Sequence, residues 1–253
     1  GAPYDLLTPD SSYILPPLLR EVSGITMAGP HSVYCVQDEL GAVFEYDLDA
    51  DAITRVLRFT DVGDFEGVAT HGDRITVLRS DGRIFMLDRQ SGALIGDRQL
   101  SVPSLNYEGL FALPDGSLLL ASKEAPVVGN ADLRPIHRVQ SDSAVHYREL
   151  DVNAVASYLS QHWPSLIKAP VRFSPSAVAI HPRTGQLYVL SADDRLLAIY
   201  GDALERVTPL PATDHYKPEG LAFLPNGDLL ISSEGDKKGL VQASIVRFRW
   251  KGK

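Results

Sequence analysis

One short phrase, an acidic residue followed by glycine at the head of an apolar run, keeps returning along this 253-residue chain. It reads DFEGVATHGDRITVL from Asp64, NYEGLFALPDGSLLL from Asn106 and KPEGLAFLPNGDLLI from Lys217. Two degenerate copies fit the same frame, EVSGITMAGPHSVYCV from Glu21 and SPSAVAIHPRTGQLYVL from Ser174. The aligned position is Ser23, Glu66, Glu108, Ser176 and Glu219, with steps of 43, 42, 68 and 43 residues. A period of this size constrains the fold more than any single motif does, because it demands a repeated supersecondary unit.

Each unit has the same grammar. A short apolar run, such as Leu221-Ala222-Phe223, leads into a turn written LPNG, LPDG, HPRTG or THGD. Glycine in these turns supplies the positive φ they need. A β-branched or leucine-rich run follows (Ile75–Leu78, Leu118–Leu120, Leu187–Leu190, Leu229–Ile231), then a second turn and a third strand such as RIFMLD or RLLAIY. A fourth strand, ITRVLRF at 53–59 in the first unit, closes most of them. Four short strands in about 40–45 residues describe a propeller blade. The sequence therefore predicts an all-β, five-bladed β-propeller in one domain, with blades starting near 21, 64, 106, 174 and 217. The last unit lacks a fourth strand, and SYILPPLL at 12–19 reads as a spare one. The N-terminal strand is expected to complete the last blade and so to remove an open edge.

The 68-residue step carries an insertion at 148–172. Val152, Val155, Ala156 and Leu159 recur at helical spacing, Asp151 suits an N-cap and Pro164 a stop. A helix near 151–162, lying over one face of the ring, is expected. The segment EAPVVGNADLRP at 124–135 reads as a long loop on the same blade, and the two insertions mark the expected ligand or partner side.

Composition narrows the function. The formal net charge is −8, from 24 basic and 32 acidic residues, and no basic stripe is present, so nucleic acid is not an expected partner. The single cysteine, Cys35, has no intramolecular partner and sits in an alternating strand pattern that predicts a buried, inert thiol. No stretch approaches the ~18 apolar residues of a membrane span. The opening GAPYDLL reads as a trimmed start, with a targeting or anchoring segment expected before it.

In a propeller the first strand of each blade lines the central channel, so residues at one phase converge. Glu66, Glu108 and Glu219 are thus expected together, with Ser23 and Ser176 filling the other two phases. Three carboxylates near one axis repel unless a proton or a cation joins them. Calcium, which takes six to eight oxygen ligands, suits such a set, whereas the lack of clustered cysteine and histidine disfavours zinc. The competing reading is structural, with the glutamates accepting backbone N–H groups from the next blade. Two places earlier stand Glu21, Asp64, Asn106, Ser174 and Lys217. A second acidic set, Asp38, Glu39, Glu124, Asp193 and Glu234, falls at the ends of the second strands and is a further candidate for the channel mouth. Among the histidines, His71 and His181 occupy turns and are expected to be solvated. His215, just before a channel strand, is the candidate general base, against the simpler reading of an ordinary loop histidine. No nucleophile elbow, zinc-protease motif or phosphate loop is present.

The order EVSGIT, VYCVQDELGAVFEYDLD, DFEGVA, NYEGLF and KPEGLAFLPNGDLLISSEG resembles the bacterial SdiA-regulated family over roughly residues 20–250, apart from the helical insertion. The resemblance implies a five-bladed propeller distantly similar to NHL-repeat proteins, a bound calcium, and export to the periplasm or membrane anchoring through an N-terminal segment. It brings no biochemical activity. Glu66, Glu108 and Glu219 match the family's Glu-Gly motifs, and Ser176 departs from them. Two functional readings follow. One is an exported or cell-surface calcium-binding module for a small-molecule or protein ligand. The other is a calcium-dependent hydrolase, similar to propeller lactonases, esterases or phytases, with the metal in the channel.

Overall fold

The computed structural model describes residues 1–102, 106–166 and 169–253. The chain begins with β1 (Ser11–Ile14), followed by a short 3-10 turn at Pro17–Leu19 where two prolines end the strand. The first blade then holds β2 (Val22–Gly29), β3 (Ser32–Gln37), β4 (Ala42–Asp47) and β5 (Ala52–Arg58). The second holds β6 (Phe65–His71), β7 (Arg74–Arg79), β8 (Arg83–Asp88) and β9 (Leu94–Gln99). The third holds β10 (Tyr107–Ala112), β11 (Leu118–Ser122), β12 (Leu133–Gln140) and β13 (Ser143–Asp151), and is followed by the helix α1 (Val152–His162). The fourth holds β14 (Pro175–Ile180), β15 (Leu187–Ser191), β16 (Leu196–Tyr200) and β17 (Leu204–Pro209). The fifth holds β18 (Lys217–Phe223), β19 (Leu229–Glu234) and β20 (Ser244–Phe248), with β1 pairing antiparallel to β20 as its fourth strand. The molecule is a five-bladed β-propeller closed by its N-terminal strand.

Among the described residues the buried apolar side chains fall into five clusters, one at each blade junction. The cluster that closes the ring joins Val33, Cys35 and Phe44 of the first blade to Leu230 and Ile245 of the last, with Leu15 and Leu19 of the N-terminal segment. Cys35 is buried, and burial alone pushes its thiol up to about 12, in keeping with an inert core residue.

The helix starts where the sequence places it, with the Asp151 carboxylate accepting from the Asn153 N–H at 2.9 Å. Its position differs from expectation. It does not lie over a face of the ring. Val152, Val155 and Leu159 pack into the junction between the third and fourth blades, against β17 at the rim, and Trp163 Nε1 donates to the Val207 carbonyl. The expected insertion at 148–172 starts later than proposed, since β13 runs on to Asp151, and its residues 167–168 lie outside the described residues.

The geometry that matters most for function is at the head of each inner strand. The pairing register of β2, β6, β10, β14 and β18 with its neighbour breaks at Ser23-Gly24, Glu66, Glu108, Ser176 and Glu219 respectively. The repeat position is thus a β-bulge in every blade, and a bulge re-aims its side chain out of the regular alternation. The glycine that follows has a separate cause. A Cβ at Gly67 would stand 2.7 Å from Leu110 Cβ and 3.0 Å from the Glu108 carbonyl oxygen, and one at Gly220 would stand 2.8 Å from the Ser23 carbonyl oxygen. Neighbouring inner strands approach there too closely for a side chain. Gly67→Ala is expected to destabilise the protein by about 1–3 kcal/mol through overpacking. Gly96→Ala, whose Cβ would meet only Met86 Cε at 3.8 Å, serves as the control and leaves the urea midpoint unchanged or slightly raised.

Candidate functional site

The start of the inner strands and the end of the second strands meet at one mouth of the channel. Asp38 follows β3, Asp64 precedes β6, Glu66 is the bulged residue of β6, and Glu108, Glu219 and Glu234 come from β10, β18 and β19. One carboxylate oxygen from each of Asp38, Asp64 and Glu66 lies within 4.8 Å of the other two. These three come from two successive blades and form no ion pair among the described residues.

The remaining glutamates are partnered differently. Lys123 Nζ lies 3.2 Å from Glu108 Oε1. Lys217 Nζ lies 3.3 Å from Glu219 Oε1 and 3.5 Å from Glu234 Oε2. The expected symmetric convergence of Glu66, Glu108 and Glu219 is therefore divided. Glu66 joins Asp38 and Asp64, while Glu108 and Glu219 each keep a lysine. The second acidic set divides too. Asp38 and Glu234 belong to the mouth. Asp193 is exposed, with its charge acting on Glu108 and Lys123 at the same mouth, and Glu124 is exposed and accepts from Asn106 Nδ2 at 2.8 Å. Glu39 is exposed and shares a hydrogen bond with Glu21, which raises the Glu21 carboxyl above its ordinary range.

The two serines of the repeat are used as pins. Ser23 Oγ donates to the Phe65 carbonyl at 2.6 Å, and Ser176 Oγ lies 3.1 Å from the Pro218 carbonyl. In each case the acceptor is the residue just before the next blade's bulged glutamate. Both hydroxyls are buried and tie blade to blade, and Ser176 also borders the channel beside Glu66 and Glu108.

Burial and mutual repulsion govern the protonation of the mouth. Desolvation, then Glu234, pushes the Asp38 carboxyl up to about 9. Desolvation, then a hydrogen bond that the protonated carboxyl donates to Asp64, and the Glu108 charge, push Glu66 up to about 11. Glu219 rises to about 8 through desolvation and Glu108, opposed by Lys217. Glu108 is also raised by burial, against the pull of Lys123. Asp38 Oδ1 and Glu108 Oε2 are buried with no hydrogen-bond partner among the described residues. The donor set is all oxygen, crowded and short of positive charge, which fits a hard cation and not a thiophilic one.

His215 is not at this mouth. It is fully buried, stacked on Phe248 at 5.9 Å between ring centroids, and neither ring nitrogen has a hydrogen-bond partner among the described residues. Burial, then Arg195, lowers its pKa to about 4. It is a core side chain, and no carboxylate of the mouth is among the charges that shift it. His181 also departs from expectation. It is buried because the N-terminal segment and Trp250 cover it, with Tyr4 Oη 2.9 Å from its Nε2 and the Trp250 ring at 5.0 Å. His71 is exposed as expected and contacts the Pro114 carbonyl at 2.9 Å.

Asp64 is the site residue that sequence reasoning passed over. It belongs to the phase two places before the bulge, alongside Glu21, Asn106, Ser174 and Lys217, and that phase was the available signal. Below the carboxylates the channel narrows to a waist of about 10 Å³, bounded by Glu66, Glu108, Ser176 and the glycines 24, 67 and 220. That is room for about one water. A larger groove of about 690 Å³ lies between the second and third blades, where Arg74 and Arg98 are balanced by Asp73, Asp88 and Asp115.

Solved structures share this fold at low identity. The WD40 β-propeller domain of Doa1 matches with a TM-score of 0.54 at 13% identity, over 96% of this chain and 97% of that one. A chain of the mitotic checkpoint complex matches at 0.54 and 12%, over 97% and 92%. A chain of the nidogen/laminin complex matches at 0.53 and 16%, over 87% and 74%. No family model matches the sequence, and no curated protein does. The chain is a β-propeller, an architecture that serves as a general scaffold or binding module, and the likeness to these structures is one of fold alone.

The raised carboxyls have a consequence for stability. A group whose folded pKa exceeds its unfolded value stabilises the fold at low pH and loses that contribution as pH rises through the folded value. Asp38 and Glu219 cross that range near 9 and 8. His137, His181 and His215 are shifted the opposite way by burial and add stability as pH rises towards about 7, so the informative window lies above it. In chelator, Tm is expected to fall between pH 7 and 9, and added calcium to restore it most at pH 9. A flat profile in chelator would contradict the carboxylate assignment.

Proposed function

We propose that this chain is a calcium-binding β-propeller that acts as an exported or cell-surface binding module, with Asp38, Asp64 and Glu66 holding the ion. The observation that carries the reading is the meeting of these three carboxylates, Asp38 and Glu66 half-buried and Asp64 exposed, with no ion-pair partner among the described residues, beside three glutamates that share two lysines. A divalent cation there would supply the positive charge that the trio lacks. Asp38 and Asp64 come from loops either side of a blade junction, so the ion would also link the first blade to the second. Lys123 and Lys217 neutralise the far side of the mouth and confine the cation to the near side.

Export, and membership of the SdiA-regulated family, rest on the order of the Glu-Gly motifs and the repeat spacing. The ligand of the module is a small molecule or protein recognised on the face shared by the acidic mouth and the loop at 124–132. That loop leaves β11 directly beside Glu108, and the helix start is joined to it by the Val152 N–H donating to the Asp132 carbonyl. The hydrolase reading asks for a base beside the metal. His215, one candidate, is enclosed in the blade core; of the acidic second-set residues that are the other candidates, Asp38 is taken up by the proposed ion and Glu234 by Lys217, so the binding module is preferred.

Calorimetry on chelator-stripped protein tests the assignment. Calcium is expected to bind at one site, at least tenfold more weakly in Asp64→Asn and Glu66→Gln, and within a few-fold of wild type in Glu219→Gln. Equal loss in Glu219→Gln would move the ion to the channel axis. No binding to wild type would leave the glutamates as structural residues.

A further inference from the structure

The two mouths of the channel have opposite chemistry. At the far mouth the ends of the inner strands enclose a funnel of about 220 Å³, lined by residues 25–27, 68–70, 110–112 and 221–223 together with Ala179, Ile180 and Pro182. No charged residue lines it among the described residues. Thr70 Oγ1 is committed to the Met27 carbonyl at 3.3 Å, which leaves Thr26 with the other side-chain hydroxyl. Ile25, Val68, Leu110 and Leu221 line both the funnel and the waist, so they form a floor that separates it from the carboxylates.

We propose that this funnel is a binding site for a small neutral aromatic molecule of one or two rings. Size is the first argument. An apolar cavity of about 150 Å³ lined by Leu, Ile and Phe accepts benzene, so about 220 Å³ accommodates a substituted ring or a fused pair. Wall chemistry is the second. Phe111, Phe223 and Met27 are half-buried around the opening, and aromatic rings and a thioether favour contact with another ring. Phe223 is held in place by edge contacts with His181 at 4.8 Å and Tyr188 at 4.9 Å, so that side of the wall is formed in advance. Charge is the third. An ion entering this lining would lose its hydration with no opposite charge to meet it. A single polar substituent is different. Each inner strand ends its sheet and has no hydrogen-bonded neighbour on the channel side, so main-chain donors and acceptors border the funnel.

Indole and benzoate are the probes, a neutral and an anionic ring of similar size, titrated by calorimetry and by ligand-observed NMR in chelator. Indole is expected to saturate one site and to bind at least tenfold more tightly than benzoate. Thr26→Trp, which places a bulky ring in the funnel, is expected to abolish binding, and Phe111→Leu to weaken it about three- to tenfold with the fold intact by circular dichroism. Glu66→Gln should leave indole affinity unchanged, which separates this site from the proposed cation site. The proposal is overturned if indole fails to saturate at its solubility limit, if benzoate binds equally well, or if Phe111→Leu and Thr26→Trp both bind like wild type.

Discussion

The structure depends on how closely five inner strands can approach one another around a narrow axis. Where they come nearest, only a glycine fits between a strand and the carbonyls of its neighbour, as at Gly67 beside Glu108 and at Gly220 beside Ser23. The residue before that glycine is displaced into a bulge, which releases its side chain from the sheet alternation and aims it at the mouth. The recurring Glu-Gly pair thus has two physical causes side by side. Glycine answers backbone crowding, and the position before it receives whatever side chain the mouth requires. Serine there hydrogen-bonds the next blade, and glutamate faces its counterparts from other blades.

That division explains why the mouth is asymmetric although the backbone is repeated. A fivefold set of identical carboxylates would be held together only by protons or bound cations. Two internal lysines instead neutralise the side formed by the third and fifth blades, and two serine pins replace the acids of the first and fourth. What remains uncompensated is the second blade's Glu66 with Asp64, facing Asp38 of the first. No charged residue lines the funnel at the far end of the same strands among the described residues, and the four apolar side chains of the waist keep the two environments apart. One scaffold thereby offers a charged and an uncharged concavity on opposite faces.

Much of the fold was legible because periodicity and turn chemistry are local. LPNG and LPDG fix turns wherever they stand, and the missing fourth strand of the last unit pointed to the N-terminal segment as its partner. The helix cap at Asp151 was readable for the same reason, whereas the surface the helix covers was not, since that is decided by apolar area left at the junction of the third and fourth blades. The site was legible in part. Phase identified Glu66, Glu108 and Glu219 as neighbours, but phase carries no information about which lysine reaches which glutamate. Asp64 and Asp38 lie outside the repeated position, one before a strand and one after another, and only the packing of the first blade against the second brings them together. Burial of His181 and His215 depends on Tyr4, Trp250 and Phe248, residues distant in sequence, so a turn-like local context misplaced the first and a strand-adjacent one overvalued the second.

The proposed hard cation would sit on one side of the mouth and not on its axis. Anomalous diffraction from crystals soaked in a lanthanide, which shares calcium's preference for oxygen ligands, would test it most directly. A single strong peak bounded by Asp38, Asp64 and Glu66 is expected. A peak centred between Glu108 and Glu219, or none at the mouth, would contradict it.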